Sequence, residues 1–271
     1  MGIDHYENFP VASLLLPPRL RRPIALIYRF AREADDLADE GNLSAAARLA
    51  QLERFRDQLR RIEDGISPDI PWFAALAAMI REHDLPIAAF ADLLSAFTQD
   101  VTRKRYANMT EVLDYCRRSA NPVGRLLLHL FRSTNEANLR WSDSICSALQ
   151  LVNFWQDVAI DYAKGRVYLP QDEMRRYGVT EHHIAGQRCD EAWQALIQSQ
   201  IERARGMLKA GEPLGHALPG RIGLEIRATV QGGLRILEKL ERAGCDMFRH
   251  RPVLRWYDWL LIMARSAGYR S

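Results

Sequence analysis

The sequence predicts an all-α protein, and three observations lead there. Apolar residues recur at three- and four-residue steps nearly everywhere, the helical period. No stretch alternates convincingly at strand length. Gly (16) and Pro (12) are few for an all-β chain with many turns. The 271 residues are 48% hydrophobic and 26% charged, an ordinary globular mixture that excludes intrinsic disorder and allows a sizeable core. No internal repeat or low-complexity linker divides the chain, so residues 1–271 are expected to form a single domain of ten or more helices.

The elements follow in order. Pro17, Pro18 and Pro23 punctuate the start. From Ile24, the apolar positions Ile27, Phe30, Ala31 and Ala34 define a helix that stops at Gly41. Ser44 can N-cap a second helix running to about Asp64. After Ser67, Pro68 and Pro71, helices are expected near 72–83 and 86–105. Thr110 and Glu111 start another, which Pro122 either kinks or restarts. The 123–136 helix carries Leu126, Leu127, Leu128, Leu130 and Phe131. It is apolar on most sides, so it belongs near the centre. A mostly apolar helix from Trp141 to Tyr162 ends at Lys164-Gly165. Residues 166–190 look irregular with short helices, and long helices resume at about 190–210, 223–243 and 252–266.

Charge and cysteine usage narrow the classes. A net charge of +3 is too weak to argue for nucleic acid. Arg greatly outnumbers Lys, which suits bidentate contact with phosphate or carboxylate, although genomic base composition also explains such a bias. Cys116, Cys146, Cys189 and Cys245 lie far apart without zinc-ligand spacing and are expected to be reduced core or near-core thiols. The longest apolar run, Pro71–Ile80, is about half of the roughly 20 residues of a membrane span, and Asp4, His5 and Glu7 interrupt any signal peptide. The expected location is cytoplasmic, with a candidate peripheral contact at the inner face of the membrane.

Two helix ends break local rules. Asp35, Asp36, Asp39 and Glu40 crowd the last turn before Gly41, where the helix already carries partial negative charge. Asp35 and Asp39 are four apart, where like charges repel. Asp157 and Asp161 repeat the pattern before Gly165. Polar stripes continue both clusters: Tyr28, Arg32, Asp35/Asp36 and Asp39 on one helix, Gln150, Asn153, Asp157 and Asp161 on the other. One such cluster is best explained as a solvated acidic end paired with Arg32. Two matched clusters on mostly apolar helices call for a shared compensation, and Mg²⁺ bridging them to a diphosphate supplies it.

With these residues in view, the chain resembles the squalene/phytoene synthase family of head-to-head prenyl synthases. The resemblance rests on Tyr28–Asp39 (YRFAREADDLAD) and Asn153–Pro170 (NFWQDVAIDYAKGRVYLP), in this order. Tyr115-Cys116 with Val123-Gly124 resembles the family's central helix, and His5–Pro10, including Phe9, its N-terminal flap. The implied architecture is the isoprenoid synthase fold, helices around a central cavity, with three Mg²⁺ ions on the diphosphate. Carried over by position, Asp35, Asp39, Asn153, Asp157 and Asp161 are implied metal ligands or close neighbours, supported by Asp36. Tyr28, Arg32, Lys164, Arg166 and Tyr168 are implied to hold the diphosphate.

Trp155-Gln156, Ile160 and Arg117–Pro122 depart from the usual family pattern. The Phe9–Pro17 opening and Asn153–Asp157 resemble the bacterial hopanoid-pathway branch, which converts presqualene diphosphate to hydroxysqualene. In that pathway a paralogous synthase makes the substrate and a flavin-dependent reductase consumes the product. The alternative is condensation of two farnesyl diphosphates to presqualene diphosphate or squalene. No Gly-x-Gly-x-x-Gly follows a strand, so neither nicotinamide nor flavin is expected in this chain. Without hydride, the carbocation must end by proton loss or water capture.

Four features keep two readings each. Asp100 is an active-site acid near Tyr115, or a surface charge beside Arg103 and Arg105. Ser119 or Asn121 holds the quenching water, or Ser119 bonds a backbone carbonyl and Asn121 shapes a helix break. Trp256, Trp259, Leu260 and Met263, near Arg249, Arg251 and Arg255, are core packing of the last helix, or a membrane-surface contact. The 123–131 and 141–155 segments are cavity wall, or simply core. His182-His183 reads as a solvated loop pair.

Overall fold

The computed structural model describes residues 17–268, so Phe9 and the His5–Pro10 stretch lie outside the described residues. Within them are fourteen helices. The first four are α1 Pro18–Asp39, α2 Ala45–Glu63, α3 Pro71–His83 and α4 Ile87–Thr102. Then come α5 Met109–Ser119, α6 Asn121–Leu130, α7 Glu136–Gln156 and α8 Val158–Ala163. The short α9 Gln171–Arg176 and α10 Glu181–Ala185 lead to α11 Glu191–Gly211, α12 Leu214–Ala217, α13 Gly220–Arg242 and α14 Trp256–Gly268. Among the described residues the sole β pairing is an isolated bridge between Arg105 and Val167.

Several boundaries differ from the expected ones, each for a local reason. α1 starts at Pro18, where a missing N–H costs nothing, and accommodates Pro23 in its interior. Asn108, not Thr110, caps α5 by accepting the Glu111 N–H. Pro122 restarts the chain as α6, which stops at Leu130, short of 136; Arg132 follows at φ +55°. The expected Trp141–Tyr162 helix is two: α7, capped early by Asn135, and α8, with Asp157 at the break between them.

Two hydrophobic clusters form the interior. One gathers α1 to α4 around Phe30, Phe55, Phe73 and Phe90. The other gathers α5, α7, α11 and α13 around Trp155, Trp193 and Leu208. α6 lies between them: Leu126 and Leu130 belong to the first and Leu128 to the second. This is the central placement its all-round apolar surface implies. Among the described residues no helix is long and apolar enough to cross a membrane.

Candidate active site

A cavity of about 540 Å³ opens where the two clusters meet. Ile24, Ile27 and Ala31 of α1, Val123, Leu127 and Leu128 of α6, and Ile145 and Leu149 of α7 give it apolar walls, with Ile222 and Ile226 of α13. Part of the 123–131 and 141–155 apolar surface is therefore cavity wall, while Leu126 and Leu151 are core. Tyr28, Arg32, Asp35, Tyr115, Ser119, Gly124, Gln150 and Asn153 also line it. Helical spacing explains the polar edge: Tyr28, Arg32 and Asp35 share one face of α1, and Gln150 and Asn153 one face of α7.

Asp39, Asp161, Lys164 and Arg166 are not among the residues lining the cavity and meet one another instead. Arg166, 7% exposed, grips both Asp39 oxygens bidentately, and Lys164 Nζ donates to Asp39 Oδ2 at 3.0 Å. Arg166 Nη2 also stands 4.0 Å from Asp161 Oδ1. The first acidic helix end is thus joined to the segment after the second. Burial would raise the Asp39 carboxyl, but Arg166 and Lys164 outweigh it and hold it below its ordinary value. Arg166 Nε is buried without a hydrogen-bond partner.

Asp35 and Asp161 are compensated least. Asp35 has Arg32 at 3.6 Å, and the same guanidinium serves Asp36 at 2.8 Å and Glu40 at 3.1 Å. Burial, then the neighbouring Asp39 charge, pushes Asp35 up to about 7. Burial likewise raises Asp161 to about 7, with Asp157 and Asp39 adding to it against the pull of Arg166. One under-compensated carboxylate thus comes from each motif, and both feel Asp39.

Asp100 is not a surface charge. It is 3% exposed and accepts from the Tyr115 hydroxyl at 2.6 Å and the Tyr168 hydroxyl at 3.1 Å. Burial pushes it up to about 6, against those hydrogen bonds and the field of Arg166. Arg103 and Arg105, its supposed partners, pair with Glu111 and Glu181. Tyr168 stacks on Phe154 with centroids 3.7 Å apart, placing the residues after the second motif against α7.

Ser119 lines the cavity with a buried hydroxyl that has no hydrogen-bond partner, so it does not bond a backbone carbonyl. Asn121 faces elsewhere: its Oδ1 accepts from Ser147 at 2.8 Å.

Two cations emerge that spacing did not assign. Arg251 pairs bidentately with Asp157, at 2.5 and 3.1 Å, and so belongs to this site rather than to a surface patch. Arg48 of α2 caps the end of α1, donating to the carbonyls of Leu37 (3.2 Å), Glu40 (2.9 Å) and Gly41 (2.8 Å). Much of the acidic helix-end cost is therefore met by arginines from elsewhere in the chain.

Among the described residues no three His, Cys, Asp or Glu side chains gather into a closed metal nest. Mg²⁺ on a diphosphate needs only one or two protein carboxylates, with phosphate oxygens and water completing the shell. Asp35 and Asp161 fit that donor set: hard oxygen ligands, each made unfavourable as an anion by burial and by the Asp39 charge, and short of positive partners.

Known proteins share this architecture and are similar in sequence over most of the chain. The family model for squalene/phytoene synthase matches residues 4–258. A hydroxysqualene synthase of Rhodopseudomonas palustris is 35% identical over 87% of this chain and 80% of its own. One of Zymomonas mobilis is 35% identical over 91% of this chain and 80% of its own. The crystal structure of squalene synthase HpnC from Alicyclobacillus acidocaldarius superposes with a TM-score of 0.82 at 35% identity, covering 89% of this chain and 90% of that one. Enzymes of this family act on prenyl diphosphates. By its matching segments and its fold, this chain belongs to the squalene/phytoene synthase family.

Proposed function

We propose that the protein is a hydroxysqualene synthase, a Mg²⁺-dependent lyase that converts presqualene diphosphate and water to hydroxysqualene and diphosphate. The observation that carries this reading is the pairing of an apolar cavity with a buried, unpartnered Ser119 hydroxyl on its wall. An apolar cavity protects a long-chain carbocation, and a hydroxyl lacking a partner is free to turn toward it and hold one water there. The names of the two bacterial relatives support the same activity.

The residues divide the work. Asp35 and Asp161 would hold Mg²⁺, which when bound would supply the positive charge that makes diphosphate a good leaving group. Asp39, Asn153 and Asp157 stand beside these positions as further oxygen donors. Arg166, Lys164, Arg32 and Tyr28 bind the departing diphosphate, with Arg166 and Lys164 exchanging Asp39 for phosphate oxygens. Asp100, Tyr115 and Tyr168 hold the segment after the second motif in place. The walls of α1, α6 and α7 enclose the cation, and Ser119 orients the water that captures it. A paralogous condensing enzyme supplies presqualene diphosphate, and a flavin-dependent reductase takes the alcohol onward.

Product analysis tests the reading. The purified protein with Mg²⁺ is given presqualene diphosphate in one reaction and farnesyl diphosphate in another. Hydroxysqualene from the first and nothing from the second is the expected result. Presqualene diphosphate or squalene from farnesyl diphosphate would identify a condensing synthase instead.

A further inference from the structure

α14 is built inside out. Its buried face carries Asp258 (1% exposed), Ile262 and Ser266, two of them polar. Asp258 takes Arg235 Nε of α13 at 2.7 Å, Lys239 of α13, and the Arg255 N–H at 2.8 Å. Ser266 accepts from Arg227 Nε at its carbonyl, 2.9 Å. The helix's other charge, Arg265, is spent on Glu238 of α13 at 2.6 Å. α14 is thus fastened to α13 by charge and hydrogen bonds as well as by the buried Ile262.

Its outer face is the apolar one. Trp256 is 77% exposed, Leu260 66% and Met263 37%, with Tyr257 beside them at 43%. Trp256, Leu260, Met263 and Ala267 are spaced four, three and four apart, so they form one stripe along the outside of the helix, and it contains no charge. The three other large exposed apolar side chains of the described residues, Leu43, Ile66 and Ile160, belong to separate elements. Scattered exposed apolar residues are ordinary; a contiguous stripe on a helix whose polar groups face inward marks a contact surface.

The charges around the stripe identify the partner. Arg249, His250 and Arg255 are exposed just before α14 begins; the Arg249 side chain is 73% exposed and has only a long 3.7 Å ion pair, to the largely covered Asp246. From Arg249 to Gly268 the only carboxylate is Asp258, which is buried and paired. The exposed surface here is therefore apolar along the helix and cationic at its start, with Trp and Tyr where the two meet. That combination matches an anionic bilayer surface, which takes apolar side chains below its headgroups and attracts arginine to them. We propose that the outer face of α14, with Arg249 and Arg255, docks the protein peripherally on anionic lipid membranes. The core-packing reading is excluded for Trp256, Leu260 and Met263 by their exposure, while Trp259, set off from the stripe, is half-buried.

The test uses the full chain and sedimentation with vesicles of phosphatidylcholine, with or without phosphatidylglycerol. Wild type should sediment with the anionic vesicles, and less so as salt rises. The double variant Trp256→Glu/Leu260→Glu should bind at least about tenfold more weakly, since two buried apolar side chains are lost from the bilayer. Its melting temperature and its turnover of detergent-dispersed substrate should stay at wild-type values, which shows that the variant is folded. Arg249→Glu/Arg255→Glu should lose the preference for phosphatidylglycerol. Wild type that fails to sediment, or a folded double variant that sediments equally, overturns the proposal. So does light scattering that finds a wild-type dimer converted to monomer by Trp256→Glu/Leu260→Glu, because a second copy would then be what covers the stripe.

Discussion

Asp157 and Asp161 share a motif and differ physically. Asp157 is bound by both arms of Arg251, so Asp157→Asn deprives a half-buried guanidinium of its partner and should lower stability modestly. Asp161 has only a long ion pair and titrates near 7 in the folded protein, against about 3.9 unfolded. Between those values the folded state binds a proton that the unfolded state does not. Its contribution to stability therefore declines as pH rises from about 4 to about 7, and the full cost persists above. Asp161→Asn removes that cost. In Mg²⁺-free buffer its melting temperature should exceed that of wild type by several degrees at pH 8 and by less at pH 5, while turnover is nearly abolished. Equal shifts at both pH values would show that Asp161 is not under-compensated.

Ser119 offers a second residue-scale test, one that reads products rather than stability. Ser119→Val puts a bulkier apolar side chain in place of a cavity-lining residue whose hydroxyl has no partner, so that stretch of wall can no longer order a water. The expected outcome is a shift from hydroxysqualene toward dehydrated hydrocarbons, because the cation then loses a proton in place of gaining water. Unchanged alcohol at an unchanged rate would remove Ser119 from water capture.

Among the elements, α6 is placed by a single close approach. A Cβ on Gly124 would overlap Ser142 Oγ and sit 2.5 Å from Cys146 Sγ, both on α7. Gly124→Ala must turn Ser142 and Cys146 aside or push α6 away from α7, reshaping the wall between them at a cost of about 1–3 kcal/mol. A melting temperature lower by several degrees, with turnover reduced together, is the expected result; an unchanged melt would mean that these side chains or the helices give way freely. The apolar period marked α6 as central, but it could not separate Leu127, which lines the cavity, from Leu128, which also joins a core cluster. The same limit hid the break at Asp157, since the apolar pattern runs through it from α7 into α8. The acidic clusters were legible because their spacing is local. The arginines that meet them were not: Arg48 answers α1 from α2, and Arg251 reaches Asp157 across 94 residues of sequence. Pairings of that kind are properties of the tertiary fold and leave no spacing to read.

On the scale of the whole molecule, the two motifs belong to different interiors. α1 packs into the cluster of α1 to α4, and α7 with Tyr168 into the cluster of α5, α7, α11 and α13. Arg166 spans the seam, taking Asp39 from one side and standing near Asp161 on the other. Diphosphate with Mg²⁺ should occupy the same seam, replacing a pairing within the protein by one through the ligand. Inorganic diphosphate and Mg²⁺ together should therefore raise the melting temperature more than the sum of either alone. At a hundred times its dissociation constant, such a ligand stabilises by about 2.7 kcal/mol. Arg166→Ala should lower the unliganded melt, because Asp39 loses its main partner, and should also weaken the rise on adding Mg²⁺ and diphosphate. Lys164→Ala should weaken the same rise with a smaller loss of unliganded stability, since its side chain is 45% exposed and its single bond to Asp39 lies near solvent. If Arg166→Ala melts lower yet responds to the ligands in full, Arg166 is a structural clamp between the two halves and does not bind diphosphate.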